Sequence, residues 1–293
     1  MPASGVAEVR RRLARLGKMR VSSGMLSTPE CVALAGVGFR QVSEVMGGVV
    51  ISVQERGFFS TGLAAPPKFP RGWQGGSDGA APPIYTSSSG RSSVPSKITA
   101  MRSGIRTALA RLVEEARAVG ADGVIAVRMD QTRTATGGTS IWSFLATGTA
   151  VRSLGGTHAS TPFTAALSAT QTASALRGGW VPLSYLTSQV MAVRWVEPAS
   201  RKQERLSSAN GEIGAYSDTV NVCRRQASAD FAEAARAVGA DGAVLADMRL
   251  ELGEARDLAE VSVVVTGTAL VRFTGHGVPA PLTIMPLGGG RDE

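Results

Sequence analysis

The octet ARAVGADG is written twice in this chain, at residues 116 to 123 and at 235 to 242, an offset of 119. A repeat of this kind constrains the fold more than composition does, because the chain must solve one packing problem twice. The register continues without a gap. TGTA at 147 to 150 meets TGTA at 266 to 269, Met129 meets Met248, and Ser143 meets Ser262. Ahead of the octet a second offset holds. LSTPECVALAGVGF from Leu26 aligns with LSATQTASALRGGW from Leu167, an offset of 141. The two offsets differ by 22 residues, which places extra sequence inside the first copy. Residues 57–96 are rich in Gly, Pro and Ser, and they read as a long disordered insert.

Each copy carries the same order of elements. Ser27 and Glu30 have the spacing of a capping box, with Pro29 near the first helical position, and Ser168 and Gln171 repeat the box. Gly36 and Gly38, or Gly178 and Gly179, end that short helix. Val-rich and aromatic stretches from Phe39 and Trp180 predict a strand. A longer helix follows, at about 98 to 119 and 217 to 238. Its stripe is Met101, Ile105, Leu109, Leu112, Ala116 and Val119 in copy one. In copy two it is Val220, Cys223, Ala227, Phe231, Ala234 and Val238. Glu114, Glu115 and Arg117 fall off the stripe and are expected to face water. VIAVRM and AVLADM predict strands, DQTRTATGG and RLELGEARD variable loops, and the segments ending in TGTA a closing strand. The fold class is α+β, a tandem repeat of a module with a short helix, strands, one long helix on the sheet and a C-terminal β-hairpin.

The expected organisation is a basic N-terminal segment (1–24), module 1 (25–153), a linker (154–162), module 2 (163–273) and a flexible tail (274–293). In the octet, Gly120 and Gly239 stand at helix C-termini, where exposed carbonyls repel anions. The octet is therefore a joint and no phosphate loop. Its first glycine is expected to be left-handed, Asp122 and Asp241 to bond their local turns, and the second glycine to let the strand enter close to the helix.

These residues carry a family resemblance. The helix running into Gly120-Ala121-Asp122-Gly123-Val124, followed by a strand ending Thr147-Gly148-Thr149-Ala150-Val151, resembles the YbjQ family, labelled "putative heavy-metal-binding". Gly239-Ala240-Asp241-Gly242 and Thr266-Gly267-Thr268-Ala269 repeat both motifs, and LSTPE is similar to the family's early threonine-proline stretch. The resemblance implies small α+β subunits assembled into rings, described as pentamers, with no established enzymatic activity. Two modules and a long insert depart from that pattern. They allow a ring of tandem chains or a pseudo-symmetric smaller assembly, either of which buries sheet edges.

A soft metal needs clustered thiolate and imidazole ligands. The candidates are Cys31, Cys223, His158, His276 and nine Met, and no two of the Cys and His stand at ligand spacing. Cys223 lies on the long-helix stripe and Cys31 in the short helix, so both are expected in the core. His158 and His276 are expected in solvated loops. A metal site shared between subunits stays open, and its ligands are unknown. GVGFRQ at 36 to 41 has two glycines of a dinucleotide loop but follows a helix, and no P-loop or nucleophile elbow is present. Glu114 and Glu115, being adjacent, point at different angles. No catalytic or cofactor-binding residue is expected.

The net charge is +8 without a dense basic run interleaved with aromatics, so nucleic acid is not an expected partner. Residues 6–20 place Val6, Val9, Leu13 and Leu16 on one face among Arg10, Arg11, Arg12 and Arg15, which suits an anionic membrane surface or a frayed terminus. Two unpaired cysteines and the lack of a secretory pattern or an apolar run of spanning length point to the cytoplasm. The sequence reading is thus a non-enzymatic, self-assembling scaffold or binding protein. Metal or small-ligand binding at subunit interfaces and membrane association are the alternatives.

Overall fold

A computed structural model describes residues 26–54, 84–86, 95–136, 139–156, 158, 160–196, 200, 212–255, 258–273 and 285–286. The order is α1 (Thr28–Ala35), β1 (Phe39–Gln54), β2 (Ile84–Thr86), α2 (Pro95–Ala118), β3 (Gly123–Thr136), β4 (Thr139–Ser153) and β5 (Phe163–Thr164). It continues with α3 (Ala169–Arg177), β6 (Trp180–Trp195), α4 (Gly214–Ala237), β7 (Gly242–Ala255), β8 (Leu258–Arg272) and β9 (Met285–Pro286). The long helices and the hairpins repeat at the 119 offset to the residue, and β1 and β6 repeat at 141. The α+β tandem module read from the sequence is therefore the fold.

Each sheet is antiparallel in its main part, with the closing strand in the middle. Sheet A has the order β1-β4-β3-β5, and sheet B the order β2-β6-β8-β7-β9. The described residues of the segments expected as variable loops are strand instead, since β3 pairs with β4 from Gly123 to Thr136, and β7 with β8 from Gly242 to Ala255. Thr132, Thr134 and Thr136 favour extended backbone through their branched Cβ, which the apolar pattern alone concealed.

One face of each sheet carries the long helix. α2 lies over β1 and β4 and barely reaches β3, and α4 covers β6 and β8 in the same way. Met101, Ile105, Leu112 and Ala116 are buried against Val45, Phe144 and Ala146. Cys223, Ala227 and Phe231 are buried against Val190, Val261 and Val263. Val238, expected on the stripe, is exposed because α4 ends at Ala237. The short helices cover one end of the opposite face, Leu34 over Ile125 and Val151, and Ala175 over Leu270. Both boxes form. Ser27 N–H donates to Glu30 Oε2 at 2.9 Å, and Ser168 N–H to Gln171 Oε1 at 2.9 Å.

Glu115 does not face water. It is buried and accepts the Met46 N–H at 2.8 Å, while Arg111 Nη1 donates to the Gly48 carbonyl. β1 is an edge strand, and these two side chains of α2 satisfy its outward backbone groups. The helix comes close enough for this because a Cβ on Gly47 would collide with the Ala108 carbonyl and the Leu112 nitrogen.

The modules are joined by main-chain bonds. β3 bulges between Ile125 and Arg128, with Ala126 at φ 52°. The bulge turns the N–H groups of Ala126 and Val127 toward the carbonyls of Leu167 and Ala165, both at 2.8 Å. β5, which leads into module 2, thus adds a parallel strand to sheet A. Inside the insert, residues 84–86 are not loop. They form β2, which pairs with Ala192–Arg194 of β6 in sheet B. Met285–Pro286, in the segment expected to be a flexible tail, pairs with Gly242 and Ala243 of β7.

Candidate functional site

The repeated corner places the same polar groups twice in the fold. Gly120 and Gly239 are left-handed, at φ 66° and 75°, as a helix C-cap requires. The aspartates reach beyond their own turns. Asp122 Oδ2 accepts the Ser153 N–H and Asp241 Oδ2 accepts the Arg272 N–H, each at 2.8 Å, so each ties the helix–strand joint to the end of the closing strand. The second glycine makes room for β5 rather than for the helix, because a Cβ on Gly123 would enter the Phe163 ring. In module 1 the corner gains two partners. His158 Nδ1 lies 3.1 Å from Asp122 Oδ2, and Arg152 donates to the Val119 carbonyl at 2.8 Å. His158, expected in a solvated loop, is about half exposed and held by this contact.

The other sequence candidates are scattered. Cys31 is exposed, contrary to its expected place in the core, because only Leu34 of α1 turns inward. Its sulfur lies 3.7 Å from Gln41 Oε1. Cys223 is in the core, and burial pushes its thiol up to about 11, so the thiolate that metals and electrophiles need is suppressed. His276 lies outside the described residues, as does the basic segment 6–20. Glu114 is exposed and its neighbour Glu115 is committed to Met46, so they make no carboxylate pair.

Clefts lie where the modules meet. One, about 510 Å³, is bordered by Arg102, Arg106 and Gln189 with Asp230 and Glu233. Arg102 Nη2 donates to the Gln189 carbonyl at 2.6 Å, and its guanidinium stands 3.8 Å from Asp230. A second, about 390 Å³, holds Asp130, Tyr185, Asp247, Arg249 and Glu251. Arg249 Nε donates to Asp247 Oδ2 at 2.7 Å, which holds the guanidinium firmly cationic. Burial pushes the Tyr185 phenol up to about 12, so it stays neutral at physiological pH. Both clefts mix charges of both signs.

A family model described as "Putative heavy-metal-binding", YbjQ_1, matches residues 88–153 and 191–272, together just over half of the chain. The chain belongs to this family. The two matches fall on corresponding parts of the two modules, running through each long helix and the hairpin behind it. No curated protein and no solved structure matches the chain. Among the described residues, no three His, Cys, Asp or Glu side chains come together in a way that could hold a metal ion. Among the described residues, the two thiols do not fit a heavy metal within one copy: Cys31 is exposed beside the Gln41 amide, and Cys223 is buried in the apolar core. Sequence reasoning missed Glu115 and the reach of the two aspartates. The signal for the latter was the shared offset of GAD and TGTA, which keeps each aspartate at a fixed distance from the strand it ties.

Proposed function

We propose that this YbjQ-family protein is a non-enzymatic, self-assembling scaffold that acts through its assembled surface. One observation carries the reading: the module packs on its own kind. Ile98 of α2 is buried with Met191 and Val193 of β6, and Tyr185 of β6 enters the core of module 1 beside Met129. A unit whose sheet and helix flank bury against a second copy of themselves within one chain has the surfaces to do so between chains. The first cleft supports the same reading, since Arg102 of module 1 reaches the Gln189 carbonyl and Asp230 of module 2 across it. Light scattering at micromolar concentration tests it. The expected mass is a whole multiple of 30.3 kDa, two or more chains. A single-chain mass at that concentration overturns the proposal.

A further inference from the structure

The two copies treat the edge of their first long strand differently. In module 1 the outward N–H of Met46 meets the Glu115 carboxylate at 2.8 Å, and the outward Gly48 carbonyl meets Arg111. The repeat puts Thr187 and Gln189 of β6 at those strand positions, and Ala234 and Asp230 of α4 at the helix positions. Helix α4 therefore has a methyl group where α2 has a carboxylate.

The edge of β6 is turned outward in the same way. The Tyr185 N–H donates outward to the Thr164 hydroxyl at 2.8 Å, and the Gln189 carbonyl accepts Arg102 of module 1 at 2.6 Å. Thr187 lies midway between them and pairs with Thr266 as Met46 pairs with Thr147, so its N–H points outward too. That N–H has no partner among the described residues. Thr187 and Ala234 both line the cleft of about 510 Å³ between α2 and α4. Two further polar atoms at this place lack partners among the described residues. They are Ser188 Oγ and Gln189 Oε1, on residues 6% and 3% exposed.

The strand also explains the room. The counterpart of Ser188 is Gly47, where a Cβ would collide with the α2 backbone at Ala108 and Leu112. A serine at that place makes α4 stand farther from its strand than α2 does.

An edge N–H in a cleft needs an acceptor, and module 1 shows which group serves: a carboxylate arriving from the helix side. Arg106 lines the cleft without an ion-pair partner among the described residues, and it supplies the counter-charge. Asp230 is already engaged, by the Gln226 amide at 2.6 Å and by Arg102 at 3.8 Å. Ile105, Leu109 and Ala237 give the cleft apolar wall. An added peptide strand does not fit, because the Tyr185 N–H and the Gln189 carbonyl on either side are taken.

We propose that this cleft binds a small aliphatic carboxylic acid. Its carboxylate accepts the Thr187 N–H in the place that the Glu115 side chain fills in module 1, and its chain lies against Ile105, Leu109 and Ala237. The site is independent of self-assembly, because both walls belong to one chain.

The test uses the full chain and sodium butyrate, with sodium chloride at matched ionic strength as the blank. Titration calorimetry should show saturable binding at one site per chain, and butyrate should raise the melting midpoint. Butylamine and butanol, of the same chain length, should bind about tenfold more weakly or worse. Ala234→Glu restores the side chain that module 1 carries. It should abolish butyrate binding and raise the melting midpoint in buffer alone, a pairing that misfolding does not produce. Thr187→Pro removes the N–H at a strand edge, where proline is tolerated. It should abolish binding while circular dichroism reports an unchanged fold. Butyrate that does not bind, or whose binding survives Ala234→Glu, overturns the site. Butylamine that binds as tightly as butyrate overturns the carboxylate chemistry.

Discussion

Glu30 and Gln171 occupy the same corner of the two copies, and their chemistry differs by one ionisable group. The Ser27 hydroxyl donates to Glu30 Oε2 at 2.7 Å and the Ser27 N–H at 2.9 Å, and these bonds hold the carboxyl below the ordinary glutamate range. A carboxylate with a lowered folded value stabilises the fold above its unfolded value, and that contribution is lost as pH falls through the folded value. Gln171 makes the equivalent bond at 2.9 Å and does not titrate. Hydrogen exchange should therefore show the amides of α1 losing protection relative to those of α3 as pH falls below about 4. The Cys31 and Thr172 N–H groups, each bonded to its N-cap carbonyl, report the two helices. Equal loss in both helices would rule out the Glu30 cap as the cause. Glu30→Gln should make α1 follow α3.

The elements show how one scaffold tolerates two sequences. In module 1 a glycine of α2, Gly104, faces Phe144 of β4, and a Cβ there would lie 2.5 Å from a ring carbon. In module 2 the same places hold Cys223 and Val263, both buried. The volume has moved from strand to helix, as close packing demands. Gly104→Cys alone should cost about 1–3 kcal/mol by overpacking. Phe144→Val alone should cost about 2–4 kcal/mol through the cavity it leaves. The double substitution should recover part of both, read as a coupling energy in urea unfolding. Strict additivity would mean the two positions do not share the volume. The same logic explains what was legible in the sequence. The caps, the long-helix stripes and the closing strands are local patterns, and both copies state them. The register offset matched the hairpin of one copy to that of the other, residue for residue. The long β3 and β7 were not legible, because Thr, Arg and Glu in a strand that leaves its helix behind carry no core periodicity. Glu115 was hidden for a different reason: its partner, the Met46 N–H, is 69 residues away in sequence. β2 was hidden by its Gly, Pro and Ser surroundings, and it pairs with Arg194, Val193 and Ala192 on the other module.

At the scale of the whole molecule, the modules are bound by more than a linker. β5 extends sheet A, β2 extends sheet B, and Ile98, Met191 and Val193 are buried between them. Arg102 reaches across to the Gln189 carbonyl, and the Thr164 hydroxyl accepts the Tyr185 N–H at 2.8 Å. Exposing this contact would return three large side chains and several backbone groups to water, so neither module should melt alone. Scanning calorimetry of the full chain should show one transition whose calorimetric and van't Hoff enthalpies agree once assembly is accounted for. Ile98→Ala removes a buried side chain at the contact and should cost about 2–5 kcal/mol. Its position distinguishes it from a substitution inside one module. Losing the contact weakens the coupling as well as the total, so the single transition should broaden or split. Phe231→Ala, inside module 2, should lower the midpoint of a transition that stays single. Two transitions in the unsubstituted chain would show instead that each module is a folding unit by itself. The buried contact would then be a docking surface between independent domains.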